Sequence, residues 1–442
     1  MATTGSLMRS FLHNGLRLEA RRLFLHLEAR FLSTGEVAVD TERAHRGSNA
    51  QRDPLANNSF EPVGTNHRER RGSARILDGR RAAEEWNLEL KRAAEEVKRT
   101  IGRPPSLSVV LVGERPDSTL YVQRKEETCR KIGIDSEVIR VPESVSQEDL
   151  ENCVREICSN PAIDGALVQL PLPEHLDEEA IMEAFDPWKD VDGFHALNMG
   201  HMLMRGRSPR FVPCTALGCM NLLQSHKIDL TNKTAVVLGD SNIVGTPLSV
   251  LLRNRGTAIV TVCHGPSYKK LFEHKEEVDG WRAAAEACNP VLPGPVGRWS
   301  VDHAMKELPR TKACEPLDPQ TLAQLSQHYH VSELPKITRT ADILIVAIGH
   351  PQIVKADWVK PGAVVLDIGI NVVPKDGWLG EQEGLDETHD DRPFRIVGDV
   401  DFKGVSKVAS AITPVPGGVG PMTISGVVHN TILAARYGPL TK

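Results

Sequence analysis

Ser106-Leu107-Ser108-Val109-Val110-Leu111-Val112-Gly113-Glu114-Arg115-Pro116-Asp117-Ser118-Thr119-Leu120-Tyr121-Val122-Gln123-Arg124-Lys125 holds the junction from which the fold can be read. Ser106 to Val112 is a β-branched, apolar run of strand length, and Gly113 to Pro116 break it before a helical pattern begins at Asp117. The helix therefore starts just beyond the carboxyl end of a buried strand. Tyr121 and Lys125 stand four residues apart on it, so phenol and amine share one face about a turn apart. Such a pair either does proton chemistry or is an ordinary exposed helical pair, and the rest of the chain has to decide between the two.

Upstream, Ile76-Leu77-Asp78-Gly79 leads into a periodic helix from Ala82 to Thr100, with Trp86, Leu90 and Val97 on one side and Pro104-Pro105 as its stop. Downstream, the pattern predicts a strand at Glu137 to Val141, a helix over 146–158 and a strand at Gly165 to Leu170. That alternation is the mark of a parallel α/β sheet, whose ligands sit at the carboxyl ends of the strands. Gln169 falls at such an end, a polar side chain in an apolar strand; it either caps a backbone group or faces a ligand. Asp190-Val191-Asp192-Gly193-Phe194 then offers two carboxylates just before a turn, which by itself reads as a loop between helices.

A second lobe opens near Cys214 with a helix at Leu217 to Gln224 and a buried strand, Thr234 to Leu238, running into Gly239. The turn Gly239-Asp240-Ser241-Asn242-Ile243-Val244-Gly245 lacks GxGxxG spacing but keeps its logic. A glycine permits close backbone approach, and the next helix offers free N–H groups to a phosphate. Strands at Ala258 to His264, Asp342 to Ala347, Ala363 to Ile368 and Arg395 to Val397 complete a Rossmann-like order. The expected fold is α/β with two lobes and a cleft between them. Its catalytic parallel-sheet domain spans 73–213 and is completed by a carboxyl-terminal helix at 421–438; its dinucleotide-binding domain spans 214–412. An irregular stretch at about 265–335, with helical pieces at Val278 to Ala287 and Pro319 to Gln327, interrupts the second lobe and reads as a surface excursion.

Of 442 residues 40% are hydrophobic and 25% charged, which suits a globular chain of more than one domain, and a net charge of −5 gives no nucleic-acid footprint. No apolar run reaches 18 residues, so no membrane span is expected. The eight cysteines include no CxxC pair, so reduced thiols and no metal site are expected. The first 35 residues set Arg9, Arg17, Arg21, Arg22 and Arg30 against only Glu19 and Glu28, with Leu and Phe at helical spacing. This resembles an organelle transit peptide, mitochondrial first and plastid second, with Arg30-Phe31-Leu32-Ser33-Thr34 as a processing site. Polar residues up to 72 read as a disordered linker.

Four motifs in order carry a family resemblance over about 74–264 and 336–438: Ser118 to Lys125 with its Tyr-x-x-x-Lys spacing; Val168-Gln169-Leu170-Pro171-Leu172-Pro173; Lys189-Asp190-Val191-Asp192-Gly193-Phe194; and Pro416-Gly417-Gly418-Val419-Gly420-Pro421-Met422-Thr423. The chain resembles the bifunctional methylenetetrahydrofolate dehydrogenase/methenyltetrahydrofolate cyclohydrolases. That resemblance implies one-carbon tetrahydrofolate derivatives as substrates, NADP as cofactor and a homodimer through the cofactor lobe. It implies Lys125 as general base, Gln169 as the group that holds it, Tyr121 against the folate rings and Asp192 on the pterin amino and N–H groups. Ser118, Val168, Leu170, Pro416, Gly417, Gly418 and Val419 would complete the folate pocket. Gly239, Asp240, Ser241, Val244, Gly245, His264, Ala347, Gly349, Gly369, Ile370 and Thr423 would bind the dinucleotide.

Two residues depart from the family pattern. Asp240 stands where an arginine usually grips the 2′-phosphate of NADP, and Gly265 replaces the serine usual after His264. An acidic residue accepts ribose hydroxyls, as it does for NAD, so NAD becomes a possible cofactor; Lys269 or Lys270 could otherwise supply the phosphate site. If the insert crowds the adenosine site, the alternative is a form restricted to cyclohydrolase activity, or inactive.

Overall fold

The computed structural model describes residues 73–264, 334–374 and 394–438. The expected transit peptide and linker at 1–72, and the excursion from Gly265 through residue 333 with Lys269 and Lys270, lie outside the described residues.

In chain order the first elements are β1 (Arg75–Ile76), α1 (Gly79–Ile101), β2 (Ser106–Val112), α2 (Pro116–Ile132), β3 (Asp135–Val141), α3 (Gln147–Ser159) and β4 (Gly165–Val168). Short helices α4 (Glu178–Glu183) and α5 (Ala196–Leu203) and the longer α6 (Cys214–Ser225) follow. Strands β2, β3 and β4 form a parallel sheet in the order β3-β2-β4. The central β2 is buried from Leu107 to Val112 because both of its faces are covered, which is why its sequence is a continuous apolar run. Edge strand β3 alternates exposed and half-buried positions. The chain crosses β2 to reach β4, so a crevice opens at the carboxyl ends of β2 and β4. Gly165 begins β4 where a Cβ would overlap the Val191 side chain, and Ala166 pairs in parallel with Asp190. The Asp190–Asp192 segment is thereby laid against the same strand.

The second sheet is built from β5 (Thr234–Leu238), β6 (Ile259–Cys263), β7 (Ile343–Val346), β8 (Val364–Asp367) and β11 (Ala411–Ile412) together with β1, in the order β1-β11-β8-β7-β5-β6 and parallel throughout. Helix α7 (Gly245–Asn254) links β5 to β6; α8 (Leu334–Thr338) precedes β7 and α9 (Phe402–Val405) precedes β11. One expectation fails here. Arg395 to Val397 does not extend this sheet: as β10 (Phe394–Val397) it pairs antiparallel with β9 (Asn371–Pro374) in a separate two-stranded ribbon. Local sequence reports extended backbone but not its partner. The main sheet is extended instead by β11 and by β1, a segment that had read only as the lead into α1.

The carboxyl-terminal helix α10 (Val419–Tyr437) packs on α1, α2 and α6 and reaches β4. It is buried almost along its whole length. At two crossings α6 and α10 touch backbone to backbone: a Cβ on Gly218 would come 2.8 Å from the Met422 carbonyl, and one on Gly426 would come 2.7 Å from the Cys214 carbonyl oxygen. Among the described residues, no helix is long and apolar enough to cross a membrane, and no cluster of His, Cys, Asp and Glu could hold a metal ion.

Candidate active site

On α2 the buried stripe runs Val122, Lys125, Cys129 and Ile132, a spacing of three, four and three residues that keeps all four on one helical face. Lys125 therefore stands where an apolar side chain would continue the core, and is only 6% exposed. Burying an ammonium is unfavourable unless it finds partners. Its Nζ donates to Gln169 Oε1 at 2.9 Å. Gln169 is held in turn: its Nε2 donates to the Leu170 carbonyl at 2.8 Å and its backbone N–H to the Val110 carbonyl at 2.9 Å. Two residues separated by 44 positions thus meet at the carboxyl ends of β2 and β4.

The two carboxylates of the 190–192 segment separate in role. Asp190 is fully engaged, accepting from the backbone N–H of Gly193 at 3.1 Å and of His195 at 2.9 Å and from Asn198 Nδ2 at 3.0 Å; it organises the turn. Asp192 keeps a partly exposed position beside Lys125. Burial pushes its carboxyl above the usual range, the Lys125 ammonium pulls it back down, and Asp190 adds to the upward push. Asn430 on α10, which the sequence did not single out, pins this segment by donating to the Val191 and Val212 carbonyls at 2.8 and 2.9 Å.

The Pro416–Val419 stretch connects β11 of the second sheet to α10, which packs on the first. Gly417, at φ +111°, presents its carbonyl to the N–H groups of Gly79 and Arg80 at 3.0 and 3.2 Å, and a Cβ on Gly79 would overlap the Gly418 carbonyl. The loop is thus clamped on the amino end of α1. The Tyr121 hydroxyl lies 3.9 Å from where a Cβ on Gly420 would stand, so the α2 pair faces the start of α10. Ser118 is buried one turn before Tyr121, Val168 is buried at the end of β4, and Leu170 is half-buried beyond it.

On the second sheet, Gly239 (φ +108°) ends β5 so close to β7 that a Cβ would overlap the Ala347 carbonyl. Gly245 opens α7 against the Gly239 carbonyl, with room for no side chain. Val244, the residue before α7, supplies no side-chain cap; in the first turn Pro247 has no N–H and the Thr246 N–H goes to the Ser241 carbonyl, so the Gly245 N–H is the one left for an anion. Ser241 accepts the N–H groups of Val244 and Thr246 through its carbonyl, and Asp240 keeps its side chain exposed. A tight glycine cradle at an uncapped helix start fits the diphosphate of a dinucleotide. His264 is exposed just past β6, and Gly349 (φ +72°) and Gly369 follow β7 and β8. Ile370 is exposed beyond Gly369, and Thr423 on α10 donates to Thr215 Oγ1 at 3.4 Å. Two buried acids, Asp367 and Asp399, stand behind Gly349 and Gly369. Their available signal was an acidic residue at the end of an apolar strand.

Comparison with known proteins matches residues 77–192 to the catalytic domain of the tetrahydrofolate dehydrogenase/cyclohydrolase family, and residues 213–305 and 320–438 to its NAD(P)-binding domain. The bifunctional protein FolD 4, chloroplastic, of Arabidopsis thaliana is 38% identical over 365 residues, covering 83% of this chain and 80% of that protein. The crystal structure of bifunctional FolD from Campylobacter jejuni, at 34% identity, covers 82% of this chain and 99% of its own with a TM-score of 0.59. The Trypanosoma brucei FolD solved with NADP cofactor and inhibitor, at 31% identity, covers 82% and 98% with a TM-score of 0.61. The paired motifs, the two parallel sheets and these matches make the chain a member of the tetrahydrofolate dehydrogenase/cyclohydrolase family.

Proposed function

We propose that the chain oxidises 5,10-methylenetetrahydrofolate to 5,10-methenyltetrahydrofolate with a nicotinamide dinucleotide and hydrolyses the product to 10-formyltetrahydrofolate. The observation that carries this reading is the buried Lys125–Gln169 pair beside Asp192, at strand ends joined by the Pro416–Val419 loop to the sheet that bears the glycine cradle.

Asp192 holds the pterin through its amino and N–H groups, Tyr121 packs on the folate rings, and the 416–419 loop fixes the face presented to the nicotinamide. The bound dinucleotide supplies the hydride acceptor. In the second reaction water adds to the methenyl carbon and Lys125 takes the proton that the water loses. The bond from that carbon to the ring nitrogen N5 then breaks, N5 is protonated, and one proton leaves overall. The Gln169 bond keeps the amine aimed.

NADP is the proposed cofactor, with NAD accepted because exposed Asp240 repels a 2′-phosphate and can receive ribose hydroxyls. The sterically complete cradle at Gly239 and Gly245 argues for a dehydrogenase rather than a form restricted to cyclohydrolysis. A homodimer through the second sheet is supported by β6, an edge strand that leaves Ile259 and Val262 exposed. A mitochondrial address is proposed from the basic amphipathic start of the chain; the chloroplastic relative keeps a plastid as second choice.

The test is direct: reduced dinucleotide formed from methylenetetrahydrofolate, and loss of methenyltetrahydrofolate absorbance, both measured on the purified chain. Failure of both assays would overturn the reading; success of the second alone would reinstate the cyclohydrolase-only form.

A further inference from the structure

We propose that Asp399 is a positioning residue for hydride transfer, one that locks together the two loops following β7 and β8 and so sets the floor on which the nicotinamide ring rests. It rests on the dinucleotide reading above.

Asp399 is 0% exposed and accepts four hydrogen bonds. Its Oδ2 receives the backbone N–H groups of Ile348 at 2.7 Å and Gly349 at 2.9 Å. Its Oδ1 receives the His350 N–H at 2.8 Å and Asn371 Nδ2 at 2.8 Å. Three consecutive amides of the loop after β7 and one side chain of the segment after β8 therefore converge on a single carboxylate. Gly369 is what admits it, because a Cβ there would overlap the Asp399 carboxyl.

Behind it, Asp367 is 3% exposed and does the same for the next layer. It receives the N–H groups of Gly369 at 3.0 Å, Asp399 at 3.0 Å and Val400 at 2.9 Å. A Cβ on Gly398 would overlap the Asp367 carboxyl. The 348–354 loop is also zipped to this strand end, with Gln352 donating to the Gly398 carbonyl at 2.9 Å and Val354 to the Asp399 carbonyl at 3.0 Å.

Two buried acids that together order three loops could be nothing more than stabilisers of the fold. Their location argues for more. The segments they tie down carry Gly349, Gly369 and Ile370 at the carboxyl ends of β7 and β8, where a ligand of a parallel sheet lies, while Lys125, Gln169 and Asp192 belong to the other sheet. A carboxylate is suited to this task because all of its lone pairs accept, whereas an amide of the same shape would turn a donor toward donors.

The experiment compares the unsubstituted protein with Asp399→Asn and the milder Asn371→Ala. The readouts are affinity for NADPH and NADH by nicotinamide fluorescence, kcat and KM of the dehydrogenase, and kcat of the cyclohydrolase. Asp399→Asn is expected to lower dehydrogenase kcat/KM by about 100-fold, the effect of a roughly 1 Å misplacement of reacting groups, and to weaken dinucleotide binding about tenfold, while cyclohydrolase kcat changes by less than about threefold. Asn371→Ala should give a smaller split in the same direction, about tenfold, and stands as the test if Asp399→Asn does not fold. Parallel losses in both activities, or no loss of dehydrogenase, would overturn the proposal. If the unsubstituted protein binds no dinucleotide, the functional reading itself fails, and this inference with it.

Discussion

Replacing Lys125 with methionine separates the two activities most cleanly. The substitution keeps an unbranched chain of similar length on the buried stripe of α2, so Val122, Cys129 and Ile132 retain their packing. It removes the donor of the 2.9 Å bond to Gln169 and leaves Gln169 Oε1 without that partner, at a cost of about 1–3 kcal/mol in stability. Loss of a positioned general base costs about 100- to 10,000-fold in rate, or roughly 3–5 kcal/mol of barrier. Cyclohydrolase kcat should fall by that amount, while the dehydrogenase, whose hydride transfer needs no base at this amine, retains a measurable rate. A second consequence follows from charge. The Lys125 ammonium is the largest influence pulling the Asp192 carboxyl down, so without it burial and Asp190 push the carboxyl higher still. In the variant Asp192 is then protonated at a higher pH than in the parent, and the folate KM should rise earlier as pH is lowered. Raising the pH recovers that binding loss and leaves the base loss untouched. The assay is decay of methenyltetrahydrofolate absorbance at saturating substrate, corrected for spontaneous hydrolysis, with dehydrogenase rates taken in parallel across pH. Cyclohydrolase kcat within about fivefold of the parent would refute a general-base role, since that lies below the range such groups supply.

At the glycine turn, Asp240→Arg should shift kcat/KM toward NADP over NAD by about 10- to 100-fold, as a charge-assisted hydrogen bond replaces repulsion; an unchanged ratio would assign the 2′-phosphate site elsewhere. Gly245→Val forces a side chain into the Gly239 carbonyl and is expected to lower dinucleotide affinity at least about 100-fold, beyond the roughly tenfold that 1.4 kcal/mol represents, with cyclohydrolase activity surviving on the first sheet; calorimetric titration with NADPH reads this out. On α10, burial pushes the His429 imidazole, which lies 5.7 Å from the Trp86 ring, down to about 4. The folded protein keeps it neutral while the unfolded chain takes a proton below its ordinary 6.5, so stability is lost as pH falls from 6.5 toward 4, on the order of 3 kcal/mol. Urea midpoints measured across that range should fall with pH, and His429→Leu should flatten the slope.

Legibility followed the range of the forces involved. Strand β2 matched its sequence reading residue for residue because a strand covered on both faces must be apolar along its length. The start of α2 and the glycine turn at Gly239 were legible because proline and glycine act on their own backbone. The two-residue strands β1 and β11 were not, since two residues carry no period, and β10 was placed in the wrong sheet because its partner β9 lies across residues that give no local sign of the pairing.

The same line divides the site. Residue types and spacings marked Tyr121, Lys125, Gln169 and the Asp190–Asp192 pair as polar groups at strand ends and turns but left each open to an ordinary structural reading; the resemblance carried by the four motifs, the Pro416–Thr423 stretch among them, gave them site roles and made Asp240 an exception. Only the tertiary structure decided that Lys125 points into the core onto Gln169, that Asp190 is consumed by a turn while Asp192 stays beside the amine, and that Asp367 and Asp399 tie together three loops. Local sequence determines which face of a helix or strand a side chain occupies. Which distant groups meet there depends on how strands separated by tens or hundreds of residues pair and how closely glycine backbones approach, and that is a property of the assembled fold.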